Sequence, residues 1–172
     1  TMPQLKIHGI DSKKIYHFGP TRTRKAWIDF SKKHSSYYFS EYHHDVDLSN
    51  ECIVLILGFF SMNKEEEKDS NYVSISLFNE TIDMLSDFDI PVLLKPHVFT
   101  NMEIVRNAIA GKTGFYITYL HPTVLSLKAK AFICNSYSTT MADAHSLGVT
   151  TIEYADYPKN VLLATNHKSF GY

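Results

Sequence analysis

Five short apolar runs recur between residues 53 and 154 of this 172-residue chain, and each is separated from the next by enough residues for a turn or a helix. They are Ile53-Val-Leu-Ile-Leu, Pro91-Val-Leu-Leu, Phe115-Tyr-Ile-Thr-Tyr-Leu, Ala131-Phe-Ile-Cys and Thr150-Thr-Ile-Glu-Tyr. The first is continuous rather than alternating and rich in branched residues, which suits a strand covered on both faces. Between the runs the period changes. Ile75, Phe78, Ile82 and Leu85 recur at three- and four-residue steps and define one buried helical stripe. Thr100 and Glu103 have the spacing of a capping box, and Gly111 and Gly114 punctuate the end of the helix it opens. Pro122 fits the first position of a further helix, where its missing N–H has no intrahelical partner. Thr140 to Asp143 has the spacing of another cap, with Gly148 as the C-terminal stop. Strands alternating with helices imply crossover connections, so the expected class is α/β, a three-layer sandwich with a mainly parallel sheet.

The stretch before Cys52 repeats the alternation less cleanly. Lys14-Ile-Tyr-His-Phe suits a strand, Thr23 to Lys33 a helix and Tyr37 to Phe39 a second strand. The expected division is residues 1–51, an N-terminal α/β extension or the remnant of a neighbouring domain, and residues 52–172, the main domain. Apolar residues at 44% and charged residues at 20% mark an ordinary globular chain. A net charge of -1 supplies no global field for nucleic acid or anionic lipid, so any anion binding must be local. Cys52 and Cys134 fall inside predicted strands and read as reduced, buried thiols of a cytosolic protein. The longest apolar run, Cys52 to Phe60, is far below the roughly 20 residues that span a bilayer, and no signal-peptide pattern opens the sequence. The expectation is a soluble cytoplasmic protein, with any membrane association peripheral.

The chemistry-bearing residues sit just after the apolar runs, at what a parallel sheet makes its carboxyl edge, where such sheets bind ligands. Ser138, Thr139 and Thr140 follow the fourth run and open a helix, whose first amides lack partners and carry partial positive charge. One hydroxyl suffices for a cap, and three in a row suit a phosphate or diphosphate. His121, with Pro122, closes the third run and can donate to a phosphate oxygen or, protonated, offset charge on a leaving nucleotide. Lys95 and His97 close the second run around Pro96, the lysine as a point charge for phosphate and His97 shaping the cleft floor. Glu153 closes the fifth run, where a carboxylate can accept from ribose or sugar hydroxyls. His43-His44-Asp45 contains metal-ligand types, but adjacent strand residues point to opposite faces, so no metal or cofactor is expected. Arg22, Arg24 and Lys25 read as a solvated basic face, and Glu65-Glu-Glu-Lys as a solvated loop. There is no Walker loop, dinucleotide fingerprint or nucleophile elbow.

Taken in order, Lys95-Pro-His, Tyr119-Leu-His-Pro, Asn135-Ser-Tyr-Ser-Thr-Thr-Met-Ala-Asp-Ala and Gly148-Val-Thr-Thr-Ile-Glu-Tyr resemble the donor-binding C-terminal domain of GT-B glycosyltransferases. The likeness is greatest to bacterial sialyl-, polysialyl- and Kdo-transferases of capsule type, which carry an HP motif and a serine/threonine motif. It covers roughly Cys52 to Tyr157. The resemblance implies a Rossmann-like domain that holds a nucleotide-activated sugar, CMP-linked by preference, for surface polysaccharide synthesis. His121 would be the catalytic group, and Ser138, Thr139 and Thr140 would contact the nucleotide phosphate. The layout is also similar to UDP-GlcNAc 2-epimerase, although that family has glycines where this chain has Thr139 and Thr140. A GT-B enzyme holds its glycan acceptor in a second Rossmann-like domain, which residues 1–51 are too few to supply, so a fragment or degenerate relative unable to catalyse alone is expected. A non-catalytic flavodoxin-like binding module is the third reading.

Overall fold

The computed structural model describes residues 21–47, 51–63, 66, 72–157, 159–164 and 166. In chain order these form a 3-10 turn (Thr21–Thr23), α1 (Lys25–Tyr42), β1 (Cys52–Ile56), β2 (Phe59–Phe60), β3 (Tyr72–Val73), α2 (Ile75–Ser86) and β4 (Val92–Lys95). There follow α3 (Met102–Ile109), β5 (Phe115–Ile117), α4 (Pro122–Ser126), β6 (Ala129–Cys134), α5 (Thr139–Ser146), β7 (Thr150–Glu153) and α6 (Lys159–Ala164).

Five strands build one parallel sheet in the order β5-β4-β1-β6-β7, and β2 and β3 form a separate parallel pair. Successive side chains of a strand face opposite sides, and β1 feeds both layers of the core in that way. Cys52, Val54 and Ile56 join Phe39, Leu125, Phe132 and Ala144 on one face. Ile53, Leu55 and the following Leu57 join Phe78, Ile82, Leu85 and Val105 on the other. Removing a side chain the size of Phe78 or Phe132 from water contributes about 1.5–3 kcal/mol, so this central strand anchors both helical layers. The expected three-layer α/β sandwich is the fold observed. No helix among the described residues is long and apolar enough to cross a membrane.

Several local expectations change. Tyr37 to Phe39 is helical, because α1 runs unbroken to Tyr42 and turns Phe39 into the core. Phe39 and Val46 share the cluster of the main sheet, and α1 packs on α4. The suggested strand at Lys14–Phe18 lies outside the described residues. His43 and its neighbours follow α1 in a turn, not a strand. The third apolar run is strand only to Ile117, since the buried Thr118 hydroxyl bonds to His43 Nε2 (2.8 Å) and accepts from the Leu120 amide (3.3 Å).

Helix α3 is capped by Asn101, which accepts from the Glu103 amide at 3.0 Å, because Thr100 is engaged elsewhere. Helix α5 is capped by Ser138, two residues earlier than the Thr140–Asp143 spacing suggested, and Asp143 is a buried residue of its interior. The expected stops hold: Gly111, Gly114 and Gly148 all take positive φ, as does Pro122 its place at the first turn of α4.

Candidate functional site at the carboxyl edge

Register aligns one row of residues across the end of the sheet. Ile56 pairs with Lys95 on one side and Cys134 on the other, and Cys134 pairs with Glu153. The chain runs outward from β1 through β4 and β5, then returns to β6 on β1's other side, so the strand order reverses between β1 and β6. Open parallel sheets take their ligands in the crevice at such a reversal.

The floor of that crevice is built closely. A Cβ on Gly58 would come within 2.9 Å of the Ser136 hydroxyl, so the two chain segments meet at a distance that only glycine permits. Thr100 ties the Lys95-Pro-His turn to the same point: its hydroxyl donates to the Gly58 carbonyl (3.0 Å) and accepts from the His97 amide (2.9 Å). Buried Asn135 donates to the Thr81 hydroxyl (2.8 Å) and to the Tyr154 carbonyl (2.9 Å), fastening the ends of β6 and β7 to α2.

His121 is the N-cap of α4, with Nδ1 accepting the Thr123 amide at 3.2 Å. The ring lies edge-on to Trp27 of α1 at 5.2 Å, and the Trp27 indole N–H donates to the Thr123 hydroxyl at 3.2 Å. Burial lowers the imidazole pKa below its ordinary value, the Asp143 carboxylate opposes that shift, and the Arg22 and Lys95 cations reinforce it. Lys95, half-buried at the end of β4, is also lowered by burial. Asp143 is only 5% exposed; burial raises its carboxyl pKa, with Arg22 and then His121 opposing. The Arg22 guanidinium stands 3.0 Å from Asp143 Oδ2, as an ion pair without hydrogen-bond alignment. Asp143, Arg22 and Lys95 therefore come from three separate parts of the chain and all bear on the charge of His121.

The remaining sequence-named residues are placed as follows. Ser138 accepts the Thr140 amide at 3.3 Å, with Thr139 exposed and Thr140 half-buried in the first turn of α5. Asp143 lies three and four residues beyond them, on the same face of that helix. Pro122 is buried in the first turn of α4. The exposed His97 ring packs with Phe59 (5.0 Å) and Phe99 (5.6 Å) instead of joining the charged group. Glu153 lies on the outermost strand, and the Tyr157 hydroxyl near it has its pKa raised by burial first and by that carboxylate second.

Four residues of this arrangement were not named as site residues from the sequence. Trp27 and Thr123 carried no signal, Asp143 stood in a presumed cap, and Arg22 stood in a presumed solvated group. An apolar groove of about 1280 Å³ opens elsewhere, over the amino ends of β1 and β4 and the outer face of β6 and β7, lined by Ile53, Ile133 and Ile152 among others. It contains none of the sequence-named site residues, and its charged lining is mostly carboxylate, Asp47, Glu51 and Asp89 beside Lys130, which suits an anion less well than the carboxyl edge does.

No protein-family model matches the chain, and no curated protein matches it. Solved structures do match. The wall teichoic acid polymerase TagF, as a variant soaked with CDPG, aligns over 92% of this chain and 37% of its own, at 16% identity and a TM-score of 0.55. A second TagF structure aligns over 84% of this chain and 34% of its own, at 21% identity and a TM-score of 0.51. A family 9 glycosyl transferase from Veillonella parvula aligns over 96% and 50%, at 12% identity and a TM-score of 0.47. The expected Rossmann-like α/β fold is thus shared with TagF, and the chain spans between about a third and a half of the length of these solved chains.

Proposed function

We propose that this chain binds a nucleotide-activated sugar at the carboxyl edge of its sheet, as the donor half of a glycosyltransferase building a surface polysaccharide. CMP-linked sugars of the sialyl or Kdo type are the favoured donors. One observation supports this above the others: Lys95, His121 and Asp143, the last on the helix that Ser138 opens, lie close enough for their charges to interact. That is a local cationic and hydrogen-bonding site on a chain of near-zero net charge, which is what anion binding needs here.

The roles follow from the chemistry. Lys95 supplies positive charge to a phosphate oxygen, and the Ser138, Thr139 and Thr140 hydroxyls donate to others. His121 donates to the oxygen that carries the sugar; as that glycosidic bond breaks, the electron pair departs with the nucleotide and these donors stabilise the developing charge. His97 and Pro122 shape the cleft, and Glu153 accepts from ribose or sugar hydroxyls. The base that deprotonates the glycan acceptor belongs to a separate domain. Because α1 packs on α4 and feeds the main core, we read residues 21–47 as part of the donor domain.

The test is an NMR titration of the chain with CMP, CDP, UDP and a CMP-linked sugar, with CDPG added because TagF was soaked with it. Cytidine nucleotides should shift the amides of residues 95–97, 121–123 and 136–140. No shift from any probe at millimolar concentration would refute donor binding. Turnover of UDP-GlcNAc to its 2-epimer would replace the transferase reading with the epimerase one.

A further inference from the structure

We propose that His121 meets the ligand as a neutral imidazole donating from Nε2, a state imposed by Trp27, Thr123 and the Arg22–Asp143 pair, which are positioning residues for it. This rests on the donor-site reading for the identity of the ligand, but the state of the ring follows from the protein alone.

The N-cap bond decides the tautomer. Nδ1 accepts the Thr123 amide at 3.2 Å, so it holds a lone pair there and the single proton of a neutral ring must be on Nε2. Among the described residues Nε2 has no hydrogen-bond partner, which leaves one N–H unspent at the mouth of the crevice. Protonating Nδ1 would turn an acceptor toward an N–H donor and remove the cap. Thr123 is itself held in place, since its hydroxyl takes the Trp27 indole N–H and the Trp27 ring abuts the imidazole edge. A flip of the ring about the Cβ–Cγ bond would set Cδ2 in place of Nδ1 and break the cap.

The charges around the ring act in the same sense. Among the described residues three ionisable groups bear on its charge: Asp143 from α5, Arg22 from the 3-10 turn and Lys95 from the end of β4, while α1 contributes the uncharged Trp27. A lone buried carboxylate beside a histidine would favour the imidazolium. Arg22, 3.0 Å from Asp143, offsets that carboxylate, and Lys95 adds a second cation against protonation. The site therefore separates its tasks, with positive charge from Lys95 and a directed N–H from His121. This division differs from the sequence-based expectation that a protonated His121 offsets charge on a leaving nucleotide.

The ring state is measured directly by long-range nitrogen–proton NMR of the ligand-free chain. The expected result is the Nε2–H tautomer at pH 7, with a titration midpoint below the ordinary histidine value of about 6.5. Arg22→Gln should raise that midpoint by about 0.5 in pH or more and Asp143→Asn should lower it, with Arg22→Lys restoring the original value. A merely structural pair would not give opposite signs. CMP affinity should stay within about twofold from pH 7 to 8.5, whereas an imidazolium required for binding would cost about tenfold per pH unit there. An Nδ1–H tautomer, a midpoint above 7, or shifts of the same sign in the two variants would overturn the proposal. If the tautomer is as stated and CMP does not bind, the donor-site reading fails while the ring state stands; if CMP binds and the tautomer is reversed, only this inference fails.

Discussion

Gly58→Ala tests the geometry of the crevice floor most sharply. Gly58 lacks the left-handed φ of Gly111, Gly114 and Gly148, so the cost of a side chain there is steric and not conformational. The new Cβ would stand 2.9 Å from the Ser136 hydroxyl and 3.5 Å from a Val73 methyl, and only the first of these is too short. Ser136 is buried, so its oxygen or the backbone beneath it must give way. Overpacking of this kind costs about 1–3 kcal/mol. Restricting the unfolded chain returns about 0.4–1 kcal/mol, leaving a net loss of about 0.5–2 kcal/mol. Urea melts of wild type, Gly58→Ala, Ser136→Ala and the double variant measure it. In the Ser136→Ala background the oxygen is gone, so Gly58→Ala should be neutral or slightly stabilising, giving a coupling of about 1 kcal/mol or more. Nucleotide affinity should fall in the single variant, because Ser138 follows Ser136 by two residues, and recover in the double. An equal cost of Gly58→Ala in both backgrounds would show that the close approach to Ser136 is not what excludes a side chain.

Two further outcomes are expected. Asn135→Ala should destabilise the chain by about 1–3 kcal/mol in chemical denaturation, since it leaves the buried Thr81 hydroxyl and the Tyr154 carbonyl short of a donor; Asn135→Asp should cost more, because it sets an acceptor against two acceptors. Burial pushes the Cys52 and Cys134 thiols up to about 12, above the roughly 8.5 of a free thiol, so the folded state disfavours both thiolates. The sign follows: their contribution is fully present below pH 8.5 and declines as pH rises from there toward 12, by up to about 1.4 kcal/mol per pH unit for each thiol. Alkylation at pH 8 should accordingly require unfolding, and rapid labelling of the native chain would contradict the burial.

Much of the fold was legible because its signals are local. A continuous branched run such as Ile53–Leu57 tolerates no face open to water, and the Ile75, Phe78, Ile82, Leu85 stripe fits one helix face and nothing else. Both occur as read. The errors fall where one residue had two possible tasks. Thr100 could cap α3 or tie the Lys95-Pro-His turn to Gly58, and because Asn101 can cap as well, the threonine is free for the long-range bond that Asn101 could not make. Tyr37 to Phe39 has strand propensity, yet no breaker separates it from the helix that precedes it. Burial of Phe39 against the sheet then favours continuing the helix over starting a new strand.

The site was legible in its strand-end residues and not in what supports them, for a physical reason. Lys95, His121, Ser138 and Glu153 each follow an apolar run, so their place at the carboxyl edge needs only the inference of parallel strands. Trp27 and Thr123 are 96 residues apart, and His43 and Thr118 are 75 apart. No local pattern distinguishes a tryptophan that clamps a helix cap from one that fills a core. The same holds for charge. Arg22 within a basic cluster reads as solvated until a buried carboxylate is found opposite it, and Asp143 reads as a cap until the helix start is seen at Ser138. Strand order matters most of all: five apolar runs are compatible with several orders, and it is the pairing of β1 with β6 that brings Gly58 against Ser136. The residues proposed to bind can thus be picked out from the ends of strands, whereas the side chains around them are chosen by tertiary neighbours. The protonation state proposed for His121, which rests on Thr123, Trp27, Arg22 and Asp143 together, is the feature of this site least accessible to sequence.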